Sequence, residues 1–189
     1  MKKLYIIVFS ILLAACSNPS GATTEDELLK MSEELFVALE SHDWTTISEM
    51  THPDGLTFSL FADLGSPTSN EVILNKETLK QAEQVKVTWG VELTGLEVIK
   101  TKDEYVEEYI FKSIYGNPLK YDTVNFNSSS VESGGVINTI SKNFPDAKYV
   151  EYFSEATEDE YDWQALRFVF KERQGEWFLF GIVRDVHNP

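Results

Sequence analysis

Few side chains in this sequence could recognise a ligand, and Arg167 is the first of them. It interrupts the apolar and aromatic stretch from Leu166 to Phe170. Inside a pocket, an arginine can hold a carboxylate or phosphate through its planar fork of donors. On the outer face of a sheet, it would instead pair with one of the 31 Asp and Glu residues. We favour the paired alternative and retain Arg167 as a candidate ligand-binding residue.

Histidines supply the candidates for acid–base chemistry. Asp185 and His187 are two residues apart, so an extended strand would place them on one face, where the acid could orient a histidine base. His187 lies near the end of the chain, where frayed structure is common, so a working dyad is not favoured. His52 lies beside Pro53 in a turn and is a candidate ligand-binding residue, although a packed structural histidine is the commoner case.

Aromatic residues are concentrated in the middle of the chain. Trp89, Tyr105 and Tyr109 are candidate ligand-binding residues, because aromatic rings line pockets for sugars and steroids. Packing in the core is the default interpretation of the same residues.

Cofactor and metal motifs are absent from the sequence. The acidic run from Glu155 to Asp162 offers oxygen ligands for calcium, but it lacks the glycine of an EF-hand loop, which favours a solvated loop. The three histidines are scattered, and no phosphate-binding glycine loop or Gly-x-Ser-x-Gly elbow is present. We therefore predict no cofactor, no metal and no catalytic residue, which makes an enzyme the less favoured class.

Composition limits the partners and the size of the protein. The 189 residues carry 16 Lys and Arg against 31 Asp and Glu, and this deficit of basic residues argues against nucleic acid. An apolar fraction of 42% with 13% aromatic residues is typical of a globular domain. The length predicts one domain, which we place at residues 24–189.

The N-terminus has the layout of a secretory signal. Lys2 and Lys3 precede an apolar run over residues 4–13, which is shorter than an ordinary membrane span. The sequence Leu13-Ala14-Ala15-Cys16 follows and resembles the bacterial lipobox, whose cysteine receives a diacylglycerol and becomes the mature N-terminus. This resemblance implies a signal peptide over residues 1–15, lipidation of Cys16 and a linker over residues 16–23. The mature chain would have 14 basic and 31 acidic residues and would be anchored on the extracytoplasmic face of the cell membrane.

Helices are predicted where capping signals precede apolar periodicity. Thr24-x-x-Glu27 is a capping box before a helix whose apolar stripe contains Leu28, Leu35 and Leu39. Asp43 caps a short second helix. A second capping box, Thr101-x-x-Glu104, opens a central helix that the glycine at position 116 should stop.

Strands are predicted most clearly at the C-terminus. Alternation indicates strands over residues 56–60, 149–153 and 165–170. Residues 177–183 are apolar on both faces, so that strand should lie in the centre of a sheet. The strand order between residues 61 and 148 remains open at this point.

Two helices, a Pro/Gly turn and a strand, followed by a final aromatic hairpin, resemble the NTF2-like (cystatin-like) fold. The matching segments are Glu25 to Leu60 and Asp162 to Asp185 with its Gly175-Glu176-Trp177 turn. The resemblance implies an α+β cone, with N-terminal helices packed on a curved antiparallel sheet and an extra central helix. Enzymes of that superfamily place acids and a tyrosine inside the cone, but no motif here allows a catalytic residue to be carried over.

The whole chain also resembles uncharacterised lipoproteins of Gram-positive bacteria. The residues that carry this likeness are His52-Pro53, Gly55-Leu56-Thr57-Phe58-Ser59, Trp89-Gly90, Phe144-Pro145, Tyr149-Val150-Glu151-Tyr152 and Gly181-Ile182-Val183. It implies a fold and a location and no known activity.

Three functional hypotheses follow from the sequence. We favour a non-catalytic lipoprotein that binds a small molecule or a partner protein at the cell surface. The alternatives are a small isomerase or hydrolase that uses a buried carboxylate, and a self-associating module that forms a homodimer through an apolar sheet face. A cavity and its lining would separate the three.

Overall fold

The computed structural model describes residues 23–82, 84–131, 133–157 and 161–187. The predicted signal peptide, Cys16 and nearly all of the linker lie outside the described residues. So do the middle residues of the acidic run, 158–160.

Helices occupy the N-terminal part of the domain. Helix α1 spans Thr24–Glu40 and α2 spans Trp44–Met50. The capping box of α1 is one residue earlier than predicted: the Thr23 hydroxyl accepts from the Asp26 backbone N–H, and the Asp26 carboxylate accepts from the Thr23 N–H. Adjacent threonines, each followed three residues later by an acid, make the two registers hard to distinguish from sequence. The predicted cap of α2 at Asp43 is confirmed.

A six-stranded sheet forms the centre of the fold, in the order β2-β1-β8-β7-β6-β5. Its strands are β1 (Leu56–Ser59), β2 (Glu71–Leu74), β5 (Thr123–Phe126), β6 (Lys148–Ser154), β7 (Gln164–Arg173) and β8 (Glu176–Val186). Strand β8 lies between β1 and β7, which confirms the central position predicted from its two apolar faces.

The sheet is mixed, which corrects the prediction of an antiparallel one. Strands β1 and β8 are parallel, with Phe58 opposite Ile182, while the other pairs are antiparallel. Most of the chain separates β1 from β8, so no tight hairpin constrains their relative direction.

Helix α3 and a separate hairpin connect the N-terminal strands to the central helix. Helix α3 spans Lys76–Lys80, and strands β3 (Val87–Val91) and β4 (Glu97–Lys100) form a two-stranded sheet. Helix α4 spans Lys102–Tyr105 and continues as a π-helical turn over Val106–Ile110. We call these last two segments together the central helix. Its capping box at Thr101 is confirmed, but the helix ends at Ile110, well before the predicted stop.

Both faces of the sheet are covered within the described residues. On one face, Leu28, Leu35 and Leu39 of α1 belong to the same buried cluster as Leu166, Phe168 and Phe170 of β7. On the other face, Val169 and Val183 pack with Leu64 and with Ile140 from α5 (Ile140–Asn143). The domain is therefore α+β, with helices on one face of the sheet and mostly irregular chain on the other.

Candidate functional site

A cavity of about 970 Å³ opens between the β3–β4 hairpin, the central helix and the end of β8. Phe61, Glu92, Tyr109 and Arg184 contribute to its wall. Its volume is at the upper end of the range usual for small-molecule sites, about 300–1,000 Å³. The elements around the cavity hold its side chains in place through the contacts described below.

Arg184 is the buried cation of this cavity, whose lining also contains the exposed Lys112. The Arg184 side chain is 6% exposed, and its Nε donates to Oε1 of Gln164 at 2.9 Å. Its guanidinium carbon lies 5.4 Å from the centre of the Tyr109 ring. No carboxylate oxygen among the described residues lies within 4.0 Å of the Arg184 guanidinium nitrogens. Burial lowers the pKa of Arg184, yet an arginine remains charged in proteins, so a positive charge without a described acidic partner faces the cavity.

Gln164 fixes the position of that guanidinium. Its Nε2 donates to the backbone carbonyls of Tyr109 and Ile110, both at 3.0 Å, and to the Tyr121 hydroxyl at 2.7 Å. The carbonyls at the end of a helix have no partner within the helix, and here the amide satisfies two of them. With its nitrogen engaged in this way, Gln164 presents its oxygen to Arg184. The central helix and β8 are thereby joined at the wall of the cavity.

Stacked aromatic rings connect the core to the cavity. Trp89 and Tyr105 stack at 4.2 Å between ring centres, and Tyr105 stacks on Tyr109 at 5.6 Å. Trp89 and Tyr105 are each 1% exposed and belong to the core, whereas Tyr109 lines the cavity. Three of the candidate residues are therefore contiguous, and of these Tyr109 reaches the space that a ligand could occupy.

The acidic side chains of the cavity wall have partners within the protein. Glu92 accepts a hydrogen bond from the Tyr109 hydroxyl, and Glu108 pairs with Lys100 at 2.7 Å. Burial, followed by the hydrogen bond to Glu92, raises the pKa of Tyr109, so its hydroxyl is a proton donor rather than an anion at neutral pH. Arg184 remains the group best placed to recognise an anion.

His52 lies outside the cavity, in a structural setting. Its ring packs edge-on against Phe178 and Phe180, with centres 6.0 and 6.1 Å away. Its Nδ1 accepts from the backbone N–H of Asp54 at 3.2 Å. Burial lowers the pKa of His52, which favours a neutral ring. These contacts correspond to the packed histidine that the sequence favoured.

Arg167 also lies outside the cavity, on the opposite face of the sheet. It is fully buried, and its Nε contacts Glu151 at 2.8 Å while its Nη1 contacts Asp185 at 3.2 Å. The pairing alternative is thus the one that the structure shows, but at a covered position rather than an exposed one. We call Glu151, Arg167 and Asp185 the buried triad. Their strands β6, β7 and β8 are adjacent, so one face of the sheet brings them together.

The loop that follows β5 covers the buried triad. Ser130 donates its backbone N–H to Glu151 at 2.6 Å, and Val136 donates its own to Asp185 at 3.3 Å. A Cβ added at Gly135 would lie 3.0 Å from the Asp185 carboxylate and 2.9 Å from Trp163. Glycine therefore allows the loop to approach the acid closely. Burial raises the pKa of Asp185 to about 6, although Arg167 opposes this shift.

The Asp185–His187 spacing does not produce a dyad in the described residues. Asp185 belongs to the buried triad, whereas His187 packs against the Tyr161 ring at 4.7 Å and lines the cavity. No hydrogen bond joins the two side chains among the described residues.

Arg184 was missed by the sequence reasoning, although a signal was present. It is two residues after Ile182, which belongs to the core, and it lies opposite Leu166 in the β7–β8 hairpin. Arg167 lies opposite Val183, on the other face. Extending the predicted strand beyond Val183 and following its alternation would have placed Arg184 on the helical side.

Comparison with known proteins identifies no family for this chain. No protein-family model matches it, and no curated protein matches its sequence. The site must therefore be interpreted from its own geometry.

Two further findings concern metals and membranes. Within the described part of the chain, no three His, Cys, Asp or Glu side chains cluster in a way that could hold a metal ion. None of the helices in the described ranges has the length and apolarity needed to cross a bilayer.

Proposed function

We propose that this chain is a lipid-anchored extracytoplasmic lipoprotein whose NTF2-like domain binds a small oxyanion-bearing ligand without transforming it. The observation that carries the binding proposal is Arg184: a buried cation, held in place by Gln164, at the wall of a cavity of about 970 Å³. A carboxylate or phosphate group would supply the partner that the described residues do not.

A binding role agrees with the chemistry of the cavity wall better than a catalytic one. A general acid or base must be held within hydrogen-bond reach of the reacting group. Glu92 and Glu108 are engaged by Tyr109 and Lys100, and His187 packs on the Tyr161 ring without a hydrogen bond to Asp185 among the described residues. The described carboxyls whose pKa burial raises, Asp63 and Asp185, are absent from the cavity lining. Self-association through an apolar sheet face is not favoured, because the described residues cover both faces.

The order of elements supports an NTF2-like domain. Two helices precede β1, and α1 packs on one face of the β7–β8 hairpin, whose turn contains Gly175. The support for the anchor is the sequence around Cys16 alone.

Anchoring predicts a change in fractionation. Replacing Cys16 with serine removes the thiol that would receive the lipid, so the protein should move from the membrane fraction to the soluble or unprocessed pool. Fractionation of cells that express each form, followed by immunoblotting, measures this. Identical partitioning of wild type and Cys16→Ser would contradict the anchor.

Oxyanion binding predicts a requirement for Arg184. In thermal unfolding of the purified protein with a panel of short carboxylates and inorganic phosphate, at least one anion should stabilise the wild type. Arg184→Gln should lower its affinity by about 10–100-fold, because a charge-assisted hydrogen-bonding pair is lost.

Arg173→Gln is the matched control for that experiment. Arg173 is an exposed arginine of the same hairpin that pairs with Asp54 at 3.6 Å, and it is absent from the cavity lining. It should leave the stabilisation unchanged. Equal anion binding by Arg184→Gln and wild type would contradict the proposed site.

A further inference from the structure

The mouth of the cavity exposes large apolar side chains to solvent. Leu93, Ile114, Tyr115 and Tyr161 all line the cavity, and their exposed fractions are 51%, 45%, 60% and 52%. We call these four residues the apolar rim. Exposed apolar groups that cluster around a concave site usually mark contact with a ligand or partner.

Local turns place the rim residues at the mouth. Leu93 lies in the turn between β3 and β4, which Gly95 closes by donating its N–H to the carbonyl of Glu92 at 2.9 Å. Ile114 and Tyr115 lie in the turn closed by Gly116, whose N–H reaches the carbonyl of Ser113 at 2.8 Å. Tight turns fix their backbones, so the apolar side chains project at defined positions beside the cavity.

Polarity changes from the buried wall to the mouth. Arg184 is 6% exposed, whereas the rim residues are about half exposed, so the cation lies deeper than the rim. The rings of Phe61 and Tyr109 and the side chain of Val186 also line the cavity. A ligand that fits this arrangement has one anionic end and an apolar remainder that extends towards solvent.

We propose that the ligand is a single-chain amphipathic oxyanion, whose charged head binds Arg184 and whose alkyl chain lies against the apolar rim. This inference rests on the proposed oxyanion site and specifies its ligand class. A small polar anion would gain nothing from the rim, whereas each methylene buried there adds apolar burial.

The cavity lining carries two cations, Arg184 and Lys112, and two carboxylates, Glu92 and Glu108. Glu92 lies near enough to stabilise the charged form of Arg184. Because Glu108 is paired with Lys100 and Lys112 adds a second positive charge, the lining accepts a head with one or two negative charges. A monocarboxylate and a phosphate monoester with the same chain are therefore both candidate ligands.

A homologous series of ligands tests this inference. Affinities of the purified protein for butanoate, hexanoate and octanoate, measured by calorimetry below their micellar concentrations, should rise about twofold to fourfold per methylene. Octanol should bind far more weakly than octanoate, and Arg184→Gln should remove that difference. Octyl phosphate, which represents the phosphate source of the same chemistry, should likewise bind in a way that depends on Arg184.

Rim variants provide the second arm. The double variant Leu93→Ser/Ile114→Ser should flatten the dependence on chain length, so that octanoate loses more affinity than butanoate. Leu96→Ser is the matched control, because Leu96 is 67% exposed in the same hairpin but is absent from the cavity lining. It should bind the whole series as the wild type does.

The possible results separate this inference from the site on which it rests. Equal affinity for butanoate and octanoate, with binding still dependent on Arg184, would overturn the amphipathic ligand and leave the oxyanion site standing. Equal affinity for octanol and octanoate would overturn the oxyanion site itself.

Discussion

Arg167→Ala is expected to lower the free energy of unfolding by about 3–5 kcal/mol at neutral pH. The substitution leaves the carboxylates of Glu151 and Asp185 buried at 0% and 1% exposure without their shared cation. Desolvated charges without a partner are among the most destabilising features a variant can create. Urea unfolding monitored by tryptophan fluorescence measures the loss.

Arg173→Ala is the matched control for this change. Its side chain is 47% exposed and pairs with Asp54 at 3.6 Å, so its removal should cost less than about 1 kcal/mol. Similar losses of stability in the two variants would contradict the explanation that buried carboxylates without a partner cause the loss in Arg167→Ala.

The cost of Arg167→Ala should also depend on pH. The pKa of Asp185 in the folded protein, about 6, lies above its ordinary value of 3.8, so protonation favours the folded state. The stability contributed by this raised pKa is fully present below about pH 4 and is lost as the pH rises through about 6. Without Arg167 the pKa rises further, because the guanidinium no longer stabilises the carboxylate. The variant should therefore lose less stability at about pH 5 than at pH 7, and an equal loss at both would contradict this account.

Leu35→Ala is expected to cost about 2–5 kcal/mol of unfolding free energy. Leu35 is fully buried and shares the main core cluster with Leu166, Phe168 and Phe170. Truncation would leave a cavity between α1 and the sheet that close-packed neighbours fill only in part.

Val37→Ala provides the comparison on the same helix. Val37 is 61% exposed, so its truncation should change stability by less than about half a kcal/mol. A cost for Leu35→Ala that is as small as the cost for Val37→Ala would show that α1 does not stabilise the sheet in solution.

Local patterns explain the parts of the fold that were predictable. Asp43 and Thr101 cap helices as expected, because capping depends on residues within one turn of each other. Strand β7 was recognisable because its alternation follows directly from strand geometry, and β8 because a run that is apolar on both faces is typical of a central strand. The end of the central helix was not, because it ends in a π-turn whose carbonyls are satisfied by Gln164, a residue far along the chain.

Prediction of the candidate site from the sequence required knowing which arginine of the β7–β8 hairpin faces the helices. Arg167 and Arg184 both interrupt apolar strands, and they lie on opposite faces because Arg167 is opposite Val183 whereas Arg184 is opposite Leu166. The cover over Arg167 was also unpredictable, since residues 128–135 are rich in serine and glycine, a composition typical of an exposed loop. Backbone N–H groups rather than apolar side chains hold that loop to the acids.

The parallel pairing of β1 with β8 constrains the order in which the molecule can be assembled. Residues 57–59 bond to residues 181–183, so the first strand of the sheet acquires this neighbour only after residues 181–183 have been made. Contacts of such long sequence separation slow folding, because the intervening chain must be ordered before they form. An N-terminal portion of the chain emerging from the ribosome therefore cannot close the sheet. For the exported lipoprotein that we propose, this delay would keep the chain unfolded until it has crossed the membrane.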